Sequence, residues 1–148
     1  MDDRTTVLYV DDNPKSSRLL AHVLDESGFR VISKNDSVEA LALCRKIHFD
    51  LALLDYEMPA MTGAQLAREI KSLMPEIPVV LISGRITMPP AEIAFVDAHF
   101  GFGTSLDDLL WSMRILTPPK VVIAEHRYHP EHQPYQGRIA ESRWADST

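Results

Sequence analysis

The chain has 148 residues, 45% of them hydrophobic and 24% charged, which suits one ordinary domain whose core needs no disulfide or metal staple. Its net charge of −6 argues against direct binding of nucleic acid or an anionic membrane, since phosphate backbones call for clustered Lys and Arg. The single cysteine, Cys44, leaves no disulfide or thiolate metal site within one chain, and its place in an apolar helical pattern makes it a small buried hydrophobe.

Residues Met1 to Thr6 lead straight into a strand with no apolar leader, and no run approaches membrane-spanning length, so a cytoplasmic protein is expected. Val7 to Val10 form the first strand, which stops at Asp11-Asp12-Asn13-Pro14. Pro14 suits the first turn of a helix, and Leu19, Leu20, Val23 and Leu24 give that helix its core stripe before Gly28 ends it. Phe29 to Ser33 is the second strand. Asp36 or Ser37 caps a second helix with Val38, Leu41, Ala42 and Ile47 on one side. Leu51 to Leu54 are four aliphatic residues without alternation, the mark of a strand covered on both faces, and Asp55 stands where that strand leaves the core.

Pro59 and Gly63 turn the chain into a helix from about Thr62 to Met74, with Leu66, Ile70 and Leu73 inward. Val79 to Ile82 is a fourth apolar run, closed by Ser83 and Gly84. Pro89-Pro90 opens a short helix carrying Ile93, Phe95 and Val96, and His99 to Phe102 is expected as the fifth strand. Ser105 caps a last helix through Leu116, with Leu106, Leu109, Leu110, Met113 and Leu116 on its inner face.

Strands alternating with helices in this way predict an α/β fold: five parallel strands, with helices on both faces, in the flavodoxin-like (βα)5 manner. In the strand order 2-1-3-4-5, Asp11, Asp12 and Asp55 converge at the carboxyl edge of the sheet, at its topological switch point. Three close carboxylates repel and resist ionisation unless a cation neutralises them. Mg²⁺ is the natural remedy, because it takes oxygen ligands and bridges carboxylates to a phosphoryl oxygen. A carboxylate beside such an ion can accept a phosphoryl group, and the Ser83 hydroxyl is placed to hydrogen-bond it. Taken singly, Asp11 and Asp12 read as turn and cap residues and Ser83 as a turn residue; three strand ends in agreement favour a functional site.

Val10-Asp11-Asp12, Asp55-Tyr56-Glu57-Met58-Pro59 with Gly63, and Leu81-Ile82-Ser83-Gly84 together resemble the receiver domain of two-component response regulators, over residues 5 to about 116. The resemblance implies Asp55 as phosphoacceptor, Asp12 and Asp55 as direct Mg²⁺ ligands, Asp11 acting largely through water, and the Glu57 backbone carbonyl completing the protein ligands. Ser83 would be the switch hydroxyl. It also implies a phosphorelay role without enzyme turnover, a histidine kinase or phosphotransfer protein as donor docking near Ser17 to Leu24, and output by binding a further protein.

Two features depart from the family. Phe102-Gly103 stands where receivers nearly always have Lys-Pro or sometimes Lys-Gly, and no lysine lies between Lys71 and Lys120. His99 takes the place of the aromatic that usually turns inward on activation. Three readings follow: phosphorylation with a weakened or rewired response, a degenerate receiver that binds partners without phosphoryl control, or Arg85 swinging over the pocket as a substitute cation. Two rivals of other classes fit less well. A phosphatase with an aspartate nucleophile needs a second acid two residues on, where Glu57 does stand, but Met58-Pro59 follows and no further catalytic lysine is evident. A nucleotide or flavin binder would show a glycine-rich cradle after the first strand instead of Asp-Asp-Asn-Pro.

Residues 1–116 are thus expected to form the receiver domain, and 117–148 a Pro/His-rich tail beginning at Thr117-Pro118-Pro119. Within it, Lys120 to Ala124 can dock or add an edge strand, and Ile139 and Trp144 can anchor a partner. His126, His129 and His132 have the spacing of a helical Zn²⁺ site, but Pro130 argues against that helix.

Overall fold

The computed structural model describes residues 3–85 and 87–119. The elements are β1 (Thr6–Val10), α1 (Pro14–Glu26), β2 (Arg30–Lys34), α2 (Ser37–Cys44), β3 (Leu51–Asp55), α3 (Gly63–Leu73), β4 (Val79–Ser83), α4 (Pro90–Ile93), β5 (Ala98–Gly101) and α5 (Leu106–Leu116). All strand pairs are parallel and the order is β2-β1-β3-β4-β5, as expected. The tail readings at Lys120 to Ala124, the three histidines, Ile139 and Trp144 lie outside the described residues.

Why the inner strands lack alternation is visible in their two faces. Leu8, Val10, Ala52, Leu54, Val79 and Leu81 point into one core, against α2 and α3. Val7, Tyr9, Leu51, Leu53 and Val80 point into the other, against α1 and α5. Each buried Leu or Ile removes apolar area worth about 1.5–3 kcal/mol, so both layers hold the strand ends in register. The helices start where polar side chains accept orphan backbone N–H groups: Asn13, Asp36, Thr62 and Ser105 cap α1, α2, α3 and α5. Thr62 and Gln65 complete a reciprocal capping box.

Several apolar positions differ from the pattern read along the chain. The inward stripe of α1 runs through Ser17, Leu20, Ala21 and Leu24, its centre about 150° around the helix from Leu19, which is 69% exposed. In α2 the buried residues are Ser37, Ala40 and Cys44, leaving Val38 outside. Leu73 is exposed because Met74 takes the next inward place after Ala67 and Ile70 and packs on the core. Leu106, at the first turn of α5, is also exposed, and the inner face there begins at Leu109. The helix after Pro89-Pro90 is a single turn that stops at Ile93, before Phe95 and Val96. Finally, β5 ends at Gly101, so Phe102 sits in the turn beyond the strand.

Candidate functional site

The carboxyl ends of β1 and β3 are adjacent because Val10 pairs with Leu54. Asp11 and Asp12 therefore emerge beside Asp55, and carboxylate oxygens of the three lie within 4.8 Å of one another. Asp11 is buried, Asp55 half-buried and Asp12 exposed. Oxygen donors alone, one from each of three side chains, suit a hard divalent ion such as Mg²⁺.

Asp11 is held from all sides. Its Oδ2 accepts the Tyr9 hydroxyl at 2.7 Å and its Oδ1 accepts the Asn13 N–H at 2.9 Å. Its carbonyl accepts Asn35 Nδ2 at 2.8 Å, and its own N–H donates to the Lys34 carbonyl at 3.1 Å. Tyr9 and Asn35 were not singled out from the sequence. Tyr9 read only as an aromatic strand residue, and Asn35 lies 24 positions from the carbonyl it holds, beyond any local pattern.

Asp55 is electrostatically crowded. Burial, and then the charges of Asp11 and Asp12, push its carboxyl from 3.8 up to about 7, against a lowering hydrogen bond from the Glu57 backbone N–H. The Glu57 carboxylate adds further repulsion. Close beneath, Gly63 opens α3 with its N–H on the Tyr56 carbonyl at 2.9 Å. A Cβ at Gly63 would overlap the Asp55 carbonyl and come within 2.7 Å of Leu81 Cδ1, so the strand-to-helix return is this tight only with glycine.

A cavity of about 680 Å³ opens beside these carboxylates, lined by Tyr9, Asp11, Asp12, Asp55 and Glu57 together with Leu19, Leu20 and Val23 of α1 and with Phe102 and Leu106. Among the described residues, no lysine or arginine lines it. Ser83, the last residue of β4, is 1% exposed and its Oγ accepts the Arg85 N–H at 3.0 Å. Phe102 is 73% exposed, its ring lying over Gly84, where a Cβ would meet Cε2 at 2.5 Å. His99 is exposed on the edge strand opposite Leu81. Arg85 is turned to the neighbouring Tyr56, with its guanidinium 5.0 Å from the ring centroid and 4.0 Å from Glu92 Oε2.

Comparison with known proteins agrees with this geometry. The sensor histidine kinase RcsC of Escherichia coli K12 is 40% identical over 78 residues, which cover 53% of this chain and 8% of that protein. The first curated relatives are much longer, and the chain spans 8% to 38% of their lengths. Among solved structures, the response regulator TrrA of Thermotoga maritima in complex with Mg²⁺-BeF has a TM-score of 0.72 at 26% identity, covering 76% of this chain and 98% of that one. The complex of the histidine kinase ThkA with TrrA gives a TM-score of 0.70 at 25% identity, covering 76% of this chain and 97% of the matched one. Receiver domains are signalling modules of two-component systems, and among the described residues no helix is long and apolar enough to cross a membrane. With residues 7–102 matching the family model for the response regulator receiver domain, the chain belongs to that family.

Proposed function

We propose that Asp55 accepts a phosphoryl group from a histidine kinase or phosphotransfer protein, with Mg²⁺ held at Asp12 and Asp55 and, through water, at Asp11. The observation that carries this reading is the convergence of three carboxylates within 4.8 Å at the sheet edge. Both Asp11 oxygens already accept a hydrogen bond, which supports an outer role for that residue. The Glu57 carbonyl would complete the protein ligands. Bound there, Mg²⁺ supplies the positive charge that keeps the carboxylates ionised and draws in the phosphoryl oxygens.

An oxygen of the Asp55 carboxylate attacks phosphorus as the bond from phosphorus to the donor nitrogen breaks. The electron pair stays on that nitrogen, which takes up a proton. Ser83 Oγ accepts the Arg85 N–H and keeps its own hydrogen to donate to a phosphoryl oxygen. The known complex of TrrA with the histidine kinase ThkA supports a kinase as partner. Output then passes to a downstream protein by binding.

The test is intact mass after incubation with Mg²⁺ and a small phosphodonor, with Asp55→Asn as control. One phosphoryl group on wild type and none on the variant is expected. No mass gain from any donor, on well-folded protein and with a cognate kinase also failing, would refute the reading and leave a receiver that binds partners without phosphoryl control.

A further inference from the structure

Among the described residues, the acidic cavity has four carboxylates in its lining and no lysine or arginine, so a phosphoryl group on Asp55 would add about two negative charges to a lining that holds no described side-chain cation. Arg85 is the described cation whose own backbone is tied to the site, through its N–H on the buried Ser83 hydroxyl at 3.0 Å. Its side chain is engaged elsewhere. The guanidinium stacks 5.0 Å from the Tyr56 ring, one residue after Asp55, and pairs at 4.0 Å with Glu92 Oε2. The same Glu92 oxygen accepts the Tyr56 hydroxyl at 2.8 Å, so one carboxylate on the single-turn helix α4 holds both groups.

This resting engagement is weak. Arg85 is 49% exposed and its ion pair is long, in the range where surface pairs and exposed cation–π contacts contribute little because water competes for the guanidinium. A phosphoryl group offers a guanidinium parallel, charge-assisted hydrogen bonds that a carboxylate at 4.0 Å does not. Glu92 lies on an α4 of four residues with no side-chain cap, so releasing one anchor can loosen that turn.

We propose that Arg85 is the phosphoryl-binding cation of this site: it rests on Tyr56 and Glu92 and moves onto the phosphoryl oxygens once Asp55 is modified, releasing α4. This inference rests on the phosphoacceptor reading above. It locates the response in the Tyr56–Glu92–α4 cluster, apart from His99, which is exposed on the outer strand.

Hydrogen exchange of the amides in residues 91–96, measured with and without a small phosphodonor and Mg²⁺ and paired with intact mass, tests it. Wild type is expected to gain one phosphoryl group and to exchange these amides several-fold faster afterwards. Arg85→Gln, compared at matched phosphoryl occupancy after longer incubation, is expected to lose that acceleration, and Arg85→Lys to regain part of it. Glu92→Gln is expected to exchange fast before any phosphodonor is added. If wild type gains a phosphoryl group and Arg85→Gln shows the same acceleration, the role of Arg85 is overturned and the phosphoacceptor reading stands. If wild type gains none from any donor, a cognate kinase included, both fall together.

Discussion

Asp55→Asn should stabilise the metal-free protein, and by an amount that depends on pH. Burial and the charges of Asp11 and Asp12 raise the Asp55 carboxyl from 3.8 to about 7 in the folded chain. Between those values the folded state binds a proton that the unfolded state has released, so stability falls as pH rises through that window. A difference of about three pH units at about 1.4 kcal/mol each sets a ceiling of about 4 kcal/mol above pH 8. The carboxyl is only half-buried, and water and counter-ions reduce the cost to about 2 kcal/mol. Asparagine keeps the shape without the charge. In chelator at pH 8, the variant should melt about 8 °C above wild type for a folded unit of about 115 residues, and near pH 4 the two should nearly coincide. Thermal melts by circular dichroism across that range measure the gap. Saturating Mg²⁺ should close it from the wild-type side, since the ion binds the folded carboxylates. Parallel curves of melting temperature against pH in chelator would refute the electrostatic reasoning.

Two further substitutions probe the same edge of the sheet. Gly63→Ala places a methyl group against the Asp55 carbonyl and Leu81 Cδ1, and should lower the urea midpoint by the equivalent of about 1–3 kcal/mol; an unchanged midpoint would show that the return has slack. Phe102→Lys introduces an ammonium at the cavity rim and should lower the Asp55 carboxyl by about one pH unit or more, read by carbon NMR titration, while enlarging the amide-exchange response to phosphorylation. Identical titration and exchange in both proteins would count against a role for the missing cation.

The sheet was legible because each buried strand is a continuous apolar run that ends in a polar residue, and because caps such as Asp36, Thr62 and Ser105 mark where helices begin. Period alone misplaced Leu19 and Leu106. Both have neighbours that fit an apolar stripe, yet both lie on the rim of the cavity instead of the core. The three aspartates follow from strand order, which local sequence implies. Their supports do not: Tyr56 and Glu92 are 36 positions apart and Asn35 is 24 from Asp11, and only the fold brings such pairs together. The position of Arg85 two residues after Ser83 suggested a cation near the pocket, but its resting partners could not be read along the chain.

The contrast between Asp11 and Arg85 explains how such a site can be rigid and responsive at once. Asp11 is buried and held through both carboxylate oxygens, its carbonyl and its N–H, so leaving any of these partners would strand a polar group away from water. That fixes the acidic cluster in place. Arg85 is half exposed, and water replaces whatever it leaves, so its position is decided by small differences in charge around it. A phosphoryl group is such a difference, because it brings about two negative charges to a cavity whose lining, among the described residues, has four carboxylates and no lysine or arginine. Between a loose surface pair and a charge-assisted contact near the low-dielectric sheet edge, the balance shifts toward Asp55. Under the proposed function, the element that loses a partner is then α4, among the described residues the shortest helix and the one without a side-chain cap.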